Sequence, residues 1–143
     1  MTSFRRELHL IGTMADLARI GEFIEEACDQ AHVEPTARFE IVMAVDEACS
    51  NVFEHAYEGL AGPLDLYFET RACDLIITVH DCGRPFDPDS VPLPDVHLPL
   101  EERPIGGLGL HLMRQLMDDI SFAFTPGEGN TLVMTKRGVV SGA

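Results

Sequence analysis

Hydrophobic and polar positions along this chain alternate between two periods, and the switches between them mark the elements. Residues 4–11 predict a strand. Thr13 and Asp16 have the spacing of a capping box, and Leu17, Ile20, Ile24, Ala27 and Ala31 then keep a helical period. Pro35 suits the first turn of a second helix. Val42, Val45, Cys49, Val52 and Ala56 form its apolar stripe and carry it to about Tyr57, where Gly59, Gly62 and Pro63 stop it. Leu64, Leu66 and Phe68 alternate with Asp65, Tyr67 and Glu69, the signature of a half-buried strand. Leu75 to Val79 predicts the next strand, after a short turn at 71–74. Leu110, Leu112, Met113 and Leu116 predict a third helix. Ile120, Phe122 and Phe124 mark a further strand, and the turn P-G-E-G-N at 126–130 leads into the last, 131–137. Two hairpins and three helices make an α+β layered arrangement.

The chain has 143 residues, which predicts one domain, and no repeat or linker divides it. Residues 84–107 stand apart. Pro85, Pro88, Pro92, Pro94, Pro99 and Pro104 all fall there. A segment of this length without periodicity, inside a compact domain, is either a functional lid or disordered, and its place between the D-C-G-R-P motif at 81–85 and the glycine turn at 106–110 favours a lid.

Composition narrows the function. Net charge is −14, and Lys136 is the only lysine. Binding to nucleic acid is therefore not expected, because neutralising phosphates needs clustered Lys and Arg. The acidity suits solubility or steering toward a basic partner surface. Cys28, Cys49, Cys73 and Cys82 have no C-x-x-C spacing and read as small buried hydrophobes. His80 and Cys82 lack neighbours to complete a metal site. No signal peptide or bilayer-length apolar run is visible, so a cytoplasmic protein without a membrane partner is expected.

Three short motifs carry the chemistry. The first is D-E-A-C-S-N at 46–51, inside the second helix. Glu47, Asn51 and His55 are spaced i, i+4, i+8, which puts them on one α-helical face. A lone Glu/Asn pair is ordinarily a solvated face. Here the surrounding positions are apolar or small, and Asn is a poor mid-helix residue. An Asn oxygen suits Mg²⁺, which takes one or two protein oxygens plus phosphates and waters. Glu47, one turn away, could accept a proton from a hydroxyl attacking a γ-phosphate. His55 is given no catalytic role.

The second motif is D-C-G-R-P at 81–85, directly after an apolar strand. A strand-end Asp is common in turns. The functional reading is a carboxylate that accepts from the adenine amino group, with Gly83 letting the backbone approach the base. The third is G-G-L-G-L at 106–110, a glycine turn opening a helix. Such a start converges backbone N–H groups on an anion. It is neither a P-loop, lacking G-K-[ST], nor a Rossmann fingerprint, lacking a preceding strand.

In this order the motifs resemble the GHKL ATPase/kinase superfamily. E-A-x-x-N-x-x-x-H-A-Y at 47–57 and D-x-G-x-P-F-D-P at 81–88 are most similar to the bacterial anti-sigma-factor serine kinases. The resemblance runs over about 5–137, and G-N-T at 129–131 is similar to the family's late glycine–threonine element. It implies a single histidine-kinase-like ATPase domain over 1–143. The implied fold is a two-layer α/β sandwich, a mostly antiparallel sheet covered by helices on one face. It implies ATP and Mg²⁺ as cofactors and Glu47 as the general base. Asn51 would be the metal ligand, Asp81 the adenine-reading carboxylate with Gly83 beside it, and Thr131 the adenine-side threonine. Gly106, Gly107, Leu108 and Gly109 would form the phosphate-facing turn. Two positions depart from the pattern: Pro85 stands where the superfamily often has glycine, and Ile105 where some of the kinases have a basic residue. Arg103 is the nearest substitute for the latter.

The function implied is an ATP-dependent protein serine kinase that is also an anti-sigma factor. It would bind a sigma factor and phosphorylate a small anti-anti-sigma protein of STAS type, and family analogy favours a homodimer. A non-catalytic, ATP-gated protein-binding regulator is the alternative. The detached catalytic domain of a sensor histidine kinase fits less well, because this length holds no two-helix phosphoacceptor region.

Overall fold

The computed structural model describes residues 3–85 and 107–141. Strand β1 (Arg5–Gly12) leads through a short 3-10 turn (Met14–Asp16) into helix α1 (Leu17–Gln30). The Thr13/Asp16 capping box forms: Ala15 N–H donates to Thr13 Oγ1, and Thr13 N–H donates to Asp16 Oδ2 at 2.9 Å. Helix α2 (Pro35–Asn51) starts with Pro35 in its first turn, where a missing N–H costs nothing. A single π turn, Val52–Ala56, continues it, with Tyr57 N–H donating to Val52 C=O. Then come β2 (Gly62–Arg71), β3 (Asp74–Asp81), α3 (Gly107–Leu116), β4 (Asp119–Thr125) and β5 (Gly129–Lys136).

The five strands form one antiparallel sheet in the order β1-β2-β3-β5-β4. Alternation decides its two faces. Leu64, Leu66 and Phe68, Leu75, Ile77 and Val79, and Leu132 and Met134 point to one face and are buried. They join Ile20, Ile24 and Ala27 of α1, Ile41, Val45 and Cys49 of α2, and Leu110 and Met113 of α3 in one core. All three helices therefore cover the same face, as the α+β reading expects. The other face carries half-exposed polar residues, among them Tyr67, Thr78, His80 and Thr131.

Helix α2 touches both α1 and α3. Its buried set is therefore wider than the predicted stripe. Ile41, Ala44, Val45, Ala48, Cys49, Val52 and Phe53 are buried, while Val42 and Ala56 are only half-buried. The cysteines also depart from expectation. Cys28 and Cys49 are buried, and desolvation pushes both thiols up to about 12. Cys73 is half-buried in the β2–β3 turn, and Cys82 is exposed just past β3. Neither of those two sits at a core-facing strand position.

The chain's course places the ends of these elements. The start of α2 lies at the far end of β5, where Glu34 N–H donates to Val139 C=O at 3.0 Å. Its other end, through the π turn, reaches the loop after β3, where Arg84 N–H donates to Ala56 C=O at 3.1 Å. Helix α3 ends beside the start of β4, and Lys136 ties that end down by donating to Leu116 C=O and pairing with Glu40 at 3.5 Å. Ten residues at 1.5 Å each make α3 about 15 Å long. It packs against α2 and ends at the level of Glu40.

Candidate nucleotide-binding site

Asp81 is the centre of the described site. It is the last residue of β3, on the helix-covered face, and is only 4% exposed. Burial of a carboxylate demands partners. Its Oδ1 accepts from Gly83 N–H at 2.8 Å and from Asn130 Nδ2 at 3.0 Å. Asn130 lies directly opposite Asp81 in the β3–β5 register and is itself 9% exposed. Its Nδ2 also donates to Arg84 C=O at 2.8 Å, so one amide holds the carboxylate and the loop that leaves it. Asp81 Oδ2 takes no hydrogen bond among the described residues. The carboxylate is thus fixed in orientation by one oxygen while the other keeps its acceptor capacity.

Two glycines make this geometry accessible. A Cβ on Gly129, at φ +106°, would lie 2.0 Å from Asp81 C=O. A Cβ on Gly83 would lie 2.6 Å from both the Cβ and the carbonyl oxygen of Ala56. Gly83 was expected to open space for a base. What it demonstrably does is let the post-β3 loop pack against the end of the π turn. Ala56 is small for the same reason. Tyr57 completes the joint: its hydroxyl donates to Pro63 C=O and accepts from Cys82 N–H at 2.7 Å. Ala56 and Tyr57 are therefore the dock that holds the helix end to the strand end.

That dock brings the first two motifs together. Asn51 is the last residue of α2, one π turn before Ala56. Its side chain makes no hydrogen bond among the described residues, so both its oxygen and its amide remain usable. Glu47 sits one turn earlier, half-buried, with no cationic partner among the described residues. Desolvation, then Asp46 and Glu54, raises its carboxyl above the usual glutamate range. A raised carboxylate is a stronger base near neutral pH. The switch from α to π hydrogen bonding begins just after Asn51, so His55 lies in a turn with a different period from the helix that carries Glu47 and Asn51. His55 sits beside Glu54 at 3.8 Å.

The remaining predicted residues divide. Gly107, Leu108 and Gly109 form the first turn of α3, the helix that packs against α2. Arg103, Gly106 and nearly all of the predicted 84–107 lid lie outside the described residues. Thr131 does not join Asp81. It pairs with His80 in the register and points to the opposite, uncovered face. A strand's two-residue alternation means that only one of Asn130 and Thr131 can face Asp81, and it is Asn130. Asn130 is the middle residue of the G-N-T motif, and its pairing with Asp81 is set by the β3–β5 register, which the motif alone does not carry.

The family model for the histidine kinase-like ATPase domain matches residues 12–136. The chain belongs to this family. Among curated proteins it is similar to the serine-protein kinase RsbW of Bacillus cereus strain ATCC 10987 / NRS 248, at 38% identity over 98 residues. That match covers 66% of this chain and 60% of the relative. The domain thus spans less than two thirds of the curated relatives it matches. RsbW of Bacillus thuringiensis strain Al Hakam is 38% identical over the same coverage. Among solved structures, the RsbU and RsbW domains of a Mycobacterium tuberculosis protein superpose with a TM-score of 0.64 at 16% identity, over 92% of this chain and 32% of that one. The catalytic domain of the histidine kinase ThkA superposes at 0.54 and 14% identity, over 95% and 99%. These likenesses show a shared fold. Among the described residues no helix is long and apolar enough to cross a membrane.

Proposed function

We propose that this domain is an Mg²⁺-ATP-dependent protein serine kinase that acts as an anti-sigma factor, phosphorylating a small anti-anti-sigma protein of STAS type. The observation that carries the nucleotide reading is Asp81, buried and pinned through Oδ1, with Oδ2 left to accept from an amino group. The kinase reading is supported by the likeness to proteins named serine-protein kinase RsbW. The sigma factor, the STAS-type substrate, a cytoplasmic site of action and a dimeric state are parts of the same proposal.

In this reading, Asp81 takes the adenine amino group and Gly83 lies beside the base. Asn51 is the protein oxygen that fits Mg²⁺, since its side chain is unengaged at a helix end and the ion prefers hard oxygen donors. The ion, when bound, neutralises charge on the transferring phosphate. Gly107, Leu108 and Gly109 supply backbone N–H groups at the start of α3 for the phosphates; Gly106 and Arg103, outside the described residues, are assigned to the phosphates by the family resemblance alone. Glu47, held basic by partial burial, removes the proton of the substrate serine. Thr131, on the other face of the sheet, is not part of this arrangement.

The deciding experiment uses purified protein with Mg²⁺-ATP and a candidate anti-anti-sigma protein of STAS type from the same organism. Transfer of the γ-phosphate to a serine of that protein is expected. Asp81→Asn should weaken ATP binding, because an amide can present a donor where an acceptor is needed. ATP binding without any transfer would support a nucleotide-gated binder instead.

A further inference from the structure

Behind Asp81, on the uncovered face of the sheet, a chain of side chains crosses three strands. His9 Nδ1 lies 2.6 Å from Asp65 Oδ1, and His80 Nδ1 lies 3.3 Å from Asp65 Oδ2. The other ring nitrogen of His80, Nε2, donates to Glu128 C=O at 2.7 Å. Glu128 belongs to the β4–β5 turn, is one residue before Gly129 and two before Asn130. His80 is therefore adjacent in sequence to Asp81, opposite to it in direction, and bonded to the turn that delivers Asp81's own partner.

We infer that His80 is a positioning residue for adenine recognition: by anchoring Glu128 to β3, it fixes the turn that sets Asn130 against Asp81. The inference rests on the reading of Asp81 as the adenine-binding carboxylate. The mechanism is geometric. The turn at 126–128 has exposed residues and no buried side chain to hold it. Its attachments are Glu128 N–H to Thr125 C=O, within the hairpin, and two that cross to β3 and its end: the short His80 bond and a long contact at 3.9 Å from Cys82 Sγ to the same Glu128 C=O, a weak thiol donor that cannot hold the turn as the imidazole does. Gly129 follows at φ +106°, pressed against Asp81 C=O, so a shift of Glu128 moves the start of β5 relative to the end of β3. Asn130 Nδ2 is the side-chain donor to Asp81 Oδ1, and a small displacement there turns the carboxylate and re-aims Oδ2. Asp65 on the far side of the ring keeps His80 from rotating away; His9 holds Asp65, and Glu7 holds His9 in turn.

Two substitutions separate the two bonds of the ring. His80→Gln places its amide nitrogen near the position of Nε2 and can still donate to Glu128 C=O. His80→Asn reaches only the Nδ1 position and cannot. The readout is discrimination between ATP and purine riboside triphosphate, which carries hydrogen in place of the 6-amino group, measured by calorimetry on the full chain. Wild type should prefer ATP by on the order of tenfold, the range of one hydrogen bond to a charged group. His80→Asn should reduce that preference about three- to tenfold, whereas His80→Gln should keep most of it. A change in overall stability alone would leave the ratio untouched. Full discrimination in His80→Asn, or equal loss in both variants, overturns the inference. Asp81→Asn is run alongside: if it leaves discrimination intact, the reading of Asp81 itself fails, whatever the His80 variants do.

Discussion

Asn130 Nδ2 and Asp81 Oδ1 are 3.0 Å apart, buried, and directly opposite in the register of β3 and β5. Removing the amide leaves Oδ1 with the Gly83 N–H. Asn130→Ala should cost about 1–3 kcal/mol in unfolding free energy, the usual penalty for a buried acceptor stripped of a partner. It should also weaken ATP binding while sparing metal affinity at Asn51. Denaturant unfolding and calorimetry would check both, and an Ala variant as stable as wild type would show that water replaces the amide freely.

Gly83 and Gly129 cannot take a side chain without moving the strand end. Gly83→Ala sets a methyl 2.6 Å from Ala56, against the rigid end of the π turn. A loss of about 1–3 kcal/mol is expected from overpacking. Gly129→Ala should be worse, because it adds backbone strain at φ +106° to a 2.0 Å clash with Asp81 C=O. Thermal unfolding of the two variants should rank in that order; the reverse ranking would mean that the turn relaxes more easily than the helix end.

Glu47→Gln should leave ATP affinity nearly intact and slow transfer to a substrate serine by roughly 10²–10⁴-fold, the usual contribution of a general base. Asn51→Ala should lose metal-dependent binding and turnover together. Single-turnover transfer alongside equilibrium ATP binding distinguishes these patterns. If Glu47→Gln transfers phosphate at the wild-type rate, another group is the base.

The raised carboxyl of Glu47 has two pH consequences. As a base it works ionised, so kcat/KM should fall on the acid side at a pH above the ordinary glutamate value of about 4.3. For stability the sign is opposite to that of a salt-bridged carboxylate. The folded state holds this proton more tightly than the unfolded one, so stability declines as pH rises from the unfolded pKa through the folded one. Glu47→Gln removes that decline and should be no less stable than wild type at neutral pH.

His9 behaves the other way. Hydrogen bonds to Asp65, then Glu7, raise its pKa against a small desolvation effect. Its contribution to stability should be complete below the unfolded value of about 6.5 and be lost as pH rises through the higher folded one. His9→Gln should flatten the stability profile over that window. The ring is well exposed, so the effect should shrink in high salt. An identical pH profile in the variant would show that the pair is already water-screened.

Much of the fold was legible because it rests on local periodicity. The capping box at Thr13, Pro35 in its first turn and the Leu64–Phe68 alternation each depend on residues within a few positions, and each formed as read. The second helix departs from its local pattern at its end and in the width of its buried face. Nothing in V-F-E-H-A announces a π turn; the turn exists because Ala56 must meet Gly83, which is 27 positions away. The width of its buried face likewise followed from α1 and α3 packing on either side.

The sequence by itself determined which chemistry was available and roughly where: a carboxylate and a carboxamide one helical turn apart, an Asp-x-Gly after a strand, and glycines at a helix start. Those choices are fixed by side-chain chemistry and short spacings. Only the tertiary structure decided which neighbours act together. Strand pairing placed Asn130, not Thr131, on the face of Asp81, because a one-residue difference along a strand reverses the side a residue points to. Close packing gave Gly83 and Ala56 to each other, and the register joined His80 to a turn 48 residues further on. Such relations depend on distances across the sheet, and a linear chain does not contain them until it is folded.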